Sequence, residues 1–281
     1  MKFMNYTLLI VACFVTSIFY GQNIKGIATY KSQRQLDIQL DSTQVNDEMR
    51  EQMMAMMKKQ FEKEHTLTFT ADESVYKEVE KLDSGAPMGG NFQVVVVGMG
   101  GSDVLYKNLK EHRFANQNEM FSKQFLIKDE IENLDWELGK ETKNIGEYTC
   151  FKATAKRTIT RIVSSSVSTN DKEASKKEET EEEQIITAWY TPQIPIKNGP
   201  RNYGGLPGLI LEVNDGSETI LCSRVVLNPN EGVNIKEPKK GKEVTSEEYE
   251  KIMTKKSKEM QERYHGNDKR KGDSFSINIK G

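Results

Sequence analysis

The chain has 281 residues, enough for one large domain or two small ones. Hydrophobic residues make up 36 % and charged residues 29 %, which is polar for a globular protein, where apolar content usually approaches half. The 40 basic residues face 42 acidic ones, so there is no basic excess of the kind that marks a nucleic-acid-binding protein, and a single long apolar run excludes a polytopic membrane protein.

That apolar run lies at the N-terminus and predicts export. Lys2 supplies one positive charge, residues 7–19 form a short apolar segment, and polar sequence follows Gly21. This is the order of a secretory signal peptide, and the segment is short for a membrane span. We expect cleavage near Gly21, a mature chain without a transmembrane segment, and a location in the periplasm or cell envelope. Residues 10–13 also resemble a lipobox, which would instead anchor Cys13 to lipid.

The first half of the mature chain contains one predicted helix among predicted strands. The apolar residues of 45–61 recur at spacings of three and four, which places them on one helical face. Elsewhere, short segments alternate apolar and polar residues as half-buried strands do. These predicted strands are 26–32, 65–70, 74–80, 104–106, 121–127, 136–138 and 148–155, with 92–97 either a short apolar strand or a loop.

The second half begins with a polar tract. Residues 164–184 are mostly Ser, Lys and Glu, and we expect a solvated hairpin loop because such a segment buries too little area to offset its ordering entropy. Strand patterns resume at 185–190, 209–213 and 219–227. Thr245 and Glu248 then form a capping box, which opens a charged helix that ends near Tyr264.

Few helices and many short strands predict an α+β fold. We expect one curved antiparallel sheet or half-barrel, with one helix in the N-terminal region and one near the C-terminus. The predicted organisation is a signal peptide at 1–21, a β-rich domain at 22–232 with a solvated insertion at about 164–184, and a charged helical tail at 233–281.

The most informative stretch is 188–213, AWYTPQIPIKNGPRNYGGLPGLILEV. Its prolines fix φ and its glycines permit positive φ, so the segment has a defined shape. One interpretation is a structural corner between two core strands. The other is a rigid binding corner with aromatic anchors and a basic rim. The candidate binding residues are Trp189, Tyr190, Lys197, Arg201, Tyr203, Leu206 and Pro207.

Residues 205–210 spell GLPGLI, and two further segments accompany them: WELGKETKNIGEYTCFKA at 136–153 and PKKGKEVTSEEYEKI at 238–252. Together they resemble the GLPGLI family of exported Bacteroidetes proteins. The resemblance implies an envelope-associated protein without an established enzymatic activity. It also implies a strand order similar to lipoprotein-carrier folds, in which a curved half-barrel holds a helix against its concave face.

Two cysteines, Cys150 and Cys222, remain after removal of residues 1–21. In an oxidising compartment the pair can form a disulfide. The alternative is two buried thiols in different strands.

The methionines of the predicted helix also allow two interpretations. They are ordinary packing material for a core, or for a cavity that takes adaptable apolar ligands. Alternatively Met49, Met53 and Met56 could supply thioether ligands for Cu(I).

No local pattern indicates catalysis. The three histidines, His65, His112 and His265, are far apart in sequence, and no HExxH or Gly-x-Ser-x-Gly motif occurs. We therefore expect no cofactor and no catalytic residues. The predicted function is a non-catalytic binding or carrier module for an apolar ligand, a peptide or an outer-membrane protein. The alternative is an envelope protein that handles Cu(I).

Overall fold

The computed structural model of the protein describes residues 24–34, 36–37, 62–79, 103–169, 172–265 and 278–279. The chain is mostly β-structure, as predicted. Its elements are β1 (Gly26–Arg34), β2 (Leu36–Asp37), β3 (Lys63–Phe69), β4 (Glu73–Glu78), β5 (Val104–Asn108), β6 (Arg113–Met120), β7 (Lys123–Glu130), β8 (Glu137–Ile145), β9 (Tyr148–Thr169), β10 (Lys172–Thr191), β11 (Leu209–Asn214), β12 (Glu218–Leu227), β13 (Lys242–Val244), α1 (Ser246–His265) and β14 (Asn278–Ile279).

Twelve of the described strands form one open sheet, in the order β13-β7-β6-β5-β4-β3-β1-β12-β11-β10-β9-β8, and β2 pairs with β14 separately. Neighbouring strands such as β4–β5, β5–β6, β9–β10 and β11–β12 are antiparallel, as predicted. The edge strand β13 runs parallel to β7 and pairs Lys242 with Phe125. The sheet is therefore mixed, which the alternating patterns did not reveal because they carry no information on strand direction.

The described residues fall into two compact units. The first draws on the ranges Met1–Thr29, Thr66–Ile131 and Arg224–Tyr249. Val75, Tyr106, Ala115 and Leu126 form a buried cluster on one face of its strands, and Ile235 packs against that cluster. The expected tail at 233–281 is thus not uniform, because its first part, including β13, is built into this unit.

The second unit draws on Tyr30–His65, Glu132–Ser223 and Glu250–Gly281, and its main feature is the long β9–β10 hairpin. Backbone pairing runs from Tyr190 opposite Phe151 to Lys172 opposite Thr169. The polar tract at 164–184, predicted as a solvated hairpin loop, does lie in a hairpin, but its residues 164–169 and 172–184 belong to the paired strands β9 and β10. A ladder whose register is already set extends by adding one pair at a time, and this local pairing outweighs the polar composition.

The hairpin between β6 and β7 gives a strand boundary that differs from the predicted one. Phe121 and Ser122, expected in a strand, form the two-residue turn between β6 and β7, with φ of 51° and 59°. Both angles lie in the left-handed region that primed hairpin turns require. The predicted strand at 121–127 therefore begins only at Lys123, and β6 was not predicted at all.

Helix α1 confirms the capping box. The Glu248 N–H donates to Thr245 Oγ1 at 3.2 Å, and the Thr245 N–H donates to a Glu248 carboxylate oxygen at 3.1 Å. The predicted helix at 45–61 lies outside the described residues. Within the described ranges, no helix combines the length and apolar character that crossing a bilayer requires.

Candidate functional site

The corner between β10 and β11, residues 192–208, is held in shape by its backbone. The Leu209 N–H donates to the Ile194 carbonyl oxygen at 2.9 Å, and the Ile210 N–H donates to the Asn198 carbonyl oxygen at 2.9 Å. Ile194 and Asn198 are fully buried. The corner is therefore a packed part of the second unit.

The hexapeptide at 205–210 fits this corner position by position. Gly205 has a φ of +86°, where side chains are disfavoured. A Cβ on Gly208 would lie 2.2 Å from the carbonyl oxygen of Thr191, so a side chain cannot fit there without backbone movement. The three large apolar residues Leu206, Leu209 and Ile210 are buried. Five of the six positions thus have a packing or backbone role, and Pro207, which is exposed, has neither.

The seven candidate binding residues all lie at the end of β10 or in the corner, but they face different environments. Tyr190, Tyr203 and Leu206 are buried. Trp189 and Arg201 are partly exposed, whereas Lys197 and Pro207 are exposed. The packing of the buried three fits the structural interpretation of the corner, and a binding role for the seven residues stays a prediction.

Two tryptophans are fixed by polar partners. The Lys143 Nζ lies 4.4 Å from the centroid of the Trp189 ring and 2.6 Å from Glu212 Oε2. The ammonium is thus held over the aromatic face by a carboxylate, a favourable cation–π arrangement. The Trp136 Nε1–H donates to the Gly204 carbonyl oxygen at 2.9 Å. The first contact links β8, β10 and β11 next to the corner, and the second ties the residue before β8 to the corner itself.

Two polar side chains of the corner, Arg201 and Tyr203, are paired with carboxylates that follow it in the chain. Arg201 contacts both carboxylate oxygens of the buried Glu218, at 3.0 and 2.9 Å. The Tyr203 hydroxyl donates to Asp215 Oδ2 at 3.1 Å. Burial and the charge of Asp215 raise the pKa of Tyr203, so its hydroxyl stays protonated at neutral pH. Burial alone would raise the pKa of Asp215, but hydrogen bonds from Glu218 and Ser217 outweigh it and lower that pKa.

The two cysteines do not form a bridge. Cys150 on β9 and Cys222 on β12 are free and buried. Strands β10 and β11 lie between β9 and β12 in the sheet, whereas a disulfide needs Cα atoms within about 7 Å. Burial raises the pKa of the Cys150 thiol to about 11, so it remains protonated at neutral pH.

The candidate copper ligands Met49, Met53 and Met56 lie outside the described residues, so the Cu(I) alternative stays a hypothesis. Among His, Cys, Asp and Glu side chains in the described ranges, no group of three is placed to hold a metal ion.

The structure reveals a second candidate site, in the first unit. Ser74 on β4 is opposite Lys107 on β5, which is opposite Phe114 on β6. Residues opposite each other in antiparallel strands share a face, so these three side chains form one row. The next row on that face is Tyr76, Leu105 and Asn116. We call these six residues the Lys107 face; it is opposite the face that carries Val75, Tyr106 and Ala115.

The Lys107 face combines burial with polar groups. Lys107 is only 2 % exposed, and burial lowers the pKa of its amine to about 7. Ser74 is fully buried, and neither its Oγ nor the Oδ1 of Asn116 has a hydrogen-bond partner in the described part of the chain. Because buried polar atoms in sealed cores are normally hydrogen-bonded, this face is unusual for a core.

One feature of the sequence indicates this face: the position of Lys107 in an alternating pattern. The predicted strand at 104–106 ends just before Lys107. Extending the alternation by one step places Lys107 on the same side as Leu105, which is apolar and buried. A lysine at an inward-facing position of an alternating strand pattern therefore indicates a buried lysine.

Two solved structures and one protein family are similar to parts of the chain. Two solved structures, described as PNGF-II in the C2 and in the P21 space group, are similar to the chain with TM-scores of 0.45 and 0.43 and identities of 15 % and 16 %. Each alignment covers 83 % of this chain and 33 % of the other, so the chain spans about a third of the length of PNGF-II. A search of curated proteins finds no match. Residues 136–212, from the start of the β8 region to β11 and including the corner, match a family described as "Protein of unknown function (Porph_ging)".

Proposed function

We propose that the protein is an exported, non-catalytic module of the cell envelope that binds or carries an apolar ligand. The Lys107 face supports this proposal most directly. Ligand sites are lined mainly by apolar and aromatic side chains, with a few polar groups placed among them. Leu105, Phe114 and Tyr76 supply the apolar lining, and Ser74 and Asn116 supply polar atoms without partners in the described chain.

The corner at 192–208 supports a different part of the proposal. Its buried side chains, paired charges and close backbone contacts are those of a rigid framework. In a carrier, such a framework would keep the sheet in shape while the ligand enters and leaves. A curved half-barrel like that of lipoprotein carriers is the fold we propose for this role.

The N-terminal sequence supports the proposal of export, which needs its own test. We expect a mature chain that begins at Gln22, and intact-mass measurement of protein purified from the envelope fraction gives its N-terminus. A mass that retains residues 1–21 would contradict export by signal peptidase. A mass for a lipid-modified chain beginning at Cys13 would support the lipobox alternative.

The experiment for the binding role is native mass spectrometry of the protein from its own envelope, followed by extraction of bound small molecules with organic solvent. An unrelated exported protein purified in the same way controls for lipids that adhere during purification. We expect an apolar molecule present on this protein and absent from the control. Protein that carries nothing, and that also fails to bind an apolar fluorescent probe, would refute the proposal.

A further inference from the structure

Strand β10 has an open edge over much of its length. In the described part of the chain, β9 pairs with β10 as far as Lys172, whereas β11 pairs along its other edge only between Thr187 and Thr191. No described strand therefore lies beside the edge of β10 that faces away from β9 between Lys172 and Glu183. A strand edge without a neighbouring strand is a template for pairing with another strand.

The charges along this edge complement a second copy of the same strand. The sequence KKEETEE, centred on Glu179, has two lysines at one end and two glutamates at the other. When two such strands run antiparallel about a two-fold axis at Glu179, Lys176 faces the partner's Glu182. Lys177 faces the partner's Glu181 in the same way. Because the axis repeats each pair, opposite charges face each other at four positions and like charges at one, Glu179.

The charge pattern supports this register over its immediate neighbours. Opposite charges directly across a strand pair stabilise the pairing, and like charges destabilise it. If the axis moves by one residue in either direction, like-charge pairs outnumber opposite-charge pairs over residues 172–186. A two-fold axis also makes the interface closed, since each copy contributes the same edge to it.

We propose that the protein forms a two-fold symmetric dimer in which the β10 edges of two copies pair antiparallel about Glu179. The pairing joins the two hairpins into one four-stranded sheet, in the order β9-β10-β10-β9. A hairpin of two strands is marginally stable in water, and additional strands stabilise it. The dimer therefore supports the part of the hairpin that extends past the pairing of β10 with β11. This inference goes beyond the proposed binding role and does not depend on it.

Charge reversal at the two ends of the motif tests the dimer. The lysine variant carries Lys176→Glu and Lys177→Glu, and the glutamate variant carries Glu181→Lys and Glu182→Lys. Each variant alone places like charges opposite each other at the four positions, whereas an equimolar mixture of the two restores opposite charges at all of them. Within one hairpin the reversals set no like charges directly across from each other, because the opposite residues on β9 are uncharged: Ser165, Ser164, Thr160 and Ile159.

Sedimentation velocity of the mature chain over a range of concentrations measures the dimer. We expect the wild type to dimerise and each variant alone to dimerise at least about 10-fold more weakly, whereas the mixture should dimerise as the wild type does. Lys239→Glu with Lys240→Glu is the matched control, because it makes the same change of charge at exposed positions outside the hairpin. This control should dimerise as the wild type does.

A cysteine at the axis gives a second measurement. Residues directly opposite each other in antiparallel strands have Cα atoms about 4.5–5.5 Å apart, which lies within the range of a disulfide. Glu179→Cys should therefore cross-link two copies under mild oxidation. Ser175→Cys should not, because in this register residue 175 faces the partner's Glu183. The native cysteines, Cys150 and Cys222, are buried.

Several results would overturn the dimer or its register. A wild type that sediments as a monomer at every concentration tested would refute the dimer. If either charge variant alone dimerises as tightly as the wild type, or if the mixture is no tighter than its components, the axis at Glu179 is wrong. Equal cross-linking of Glu179→Cys and Ser175→Cys would contradict it as well. Far-ultraviolet circular dichroism checks the fold of each variant, and the cysteine pair decides if a charge variant does not fold.

Discussion

Replacing Lys107 by methionine is expected to change how the stability of the protein depends on pH. Burial lowers the pKa of the Lys107 amine from 10.5 to about 7 in the folded state. Between these values the folded protein holds the amine neutral while the unfolded chain keeps it protonated. Unfolding then takes up a proton, so the free energy of unfolding rises with pH across this window. Below about pH 7 the full cost of burying the charge is present, and above about pH 10.5 none of it is.

The size of this effect follows from the same two values. One pH unit between the folded and unfolded pKa corresponds to about 1.4 kcal/mol, so the gap from 10.5 to about 7 corresponds to about 5 kcal/mol. Methionine has a similar length and no charge, so Lys107→Met should be more stable than the wild type near neutral pH. That advantage should shrink by about 1.4 kcal/mol per pH unit as pH rises from 7 towards 10.5.

Urea unfolding followed by far-ultraviolet circular dichroism, at pH 6, 8, 9 and 10, measures this difference. Strand register places other ionisable residues on the same face, namely Tyr76 and Glu78 on β4 and Lys123 and Asp129 on β7, and all of them are present in both proteins. Their contributions therefore cancel in the comparison. Lys77→Met, which removes an exposed lysine, should show no such trend. A stability difference between wild type and Lys107→Met that stays constant from pH 6 to 10 would refute the reasoning.

Three further predictions concern backbone conformation at single residues and the state of the cysteines. Gly208→Ala should cost about 3 kcal/mol or more in urea unfolding, because its Cβ would lie 2.2 Å from a backbone oxygen. Gly216→Ala, at a positive φ in open space, should cost only about 1 kcal/mol, and equal losses would contradict the contact argument. Ser122→Gly should raise stability by about 0.5 kcal/mol by relieving a φ of 59°, and a lower unfolding midpoint would count against this. Cys150 and Cys222 should resist a thiol reagent at pH 8 in the folded protein and give two thiols per mature chain after unfolding; fewer would indicate a disulfide.

Structural features that depend on residues close together in sequence were predicted correctly. The capping box of Thr245 and Glu248 starts α1 where predicted, because both hydrogen bonds form within four residues. Strand β12, predicted at 219–227, begins one residue earlier, at Glu218. The glycines of the hexapeptide were identified as conformationally special, although only the structure shows that Gly208 is required by the carbonyl of Thr191.

Other features were not predicted. The strand structure of the tract at 164–184 was missed because its composition is polar, although it extends a ladder whose register is set closer to the sheet. Strand β6 was missed because only Phe114 and Ala115 of its eight residues are buried, which leaves almost no alternation to detect. The burial of Lys107 was missed because a lysine normally indicates solvent, and its surroundings depend on strands that meet only in the fold.

The composition of the first unit determines how late in synthesis a new chain can complete the folding of that unit. Its described residues are 24–29, 66–79, 103–131 and 224–249, so it cannot be completed until synthesis has passed residue 249. The bidentate contact of Arg113 with Glu237 links parts of the chain 124 residues apart, and such distant closures slow folding. A fragment that stops before residue 224 would lack that contact and would leave β7 without β13 at the sheet edge. Fragments of this kind would expose an unpaired strand and are prone to aggregate, so binding is best measured on the whole mature chain.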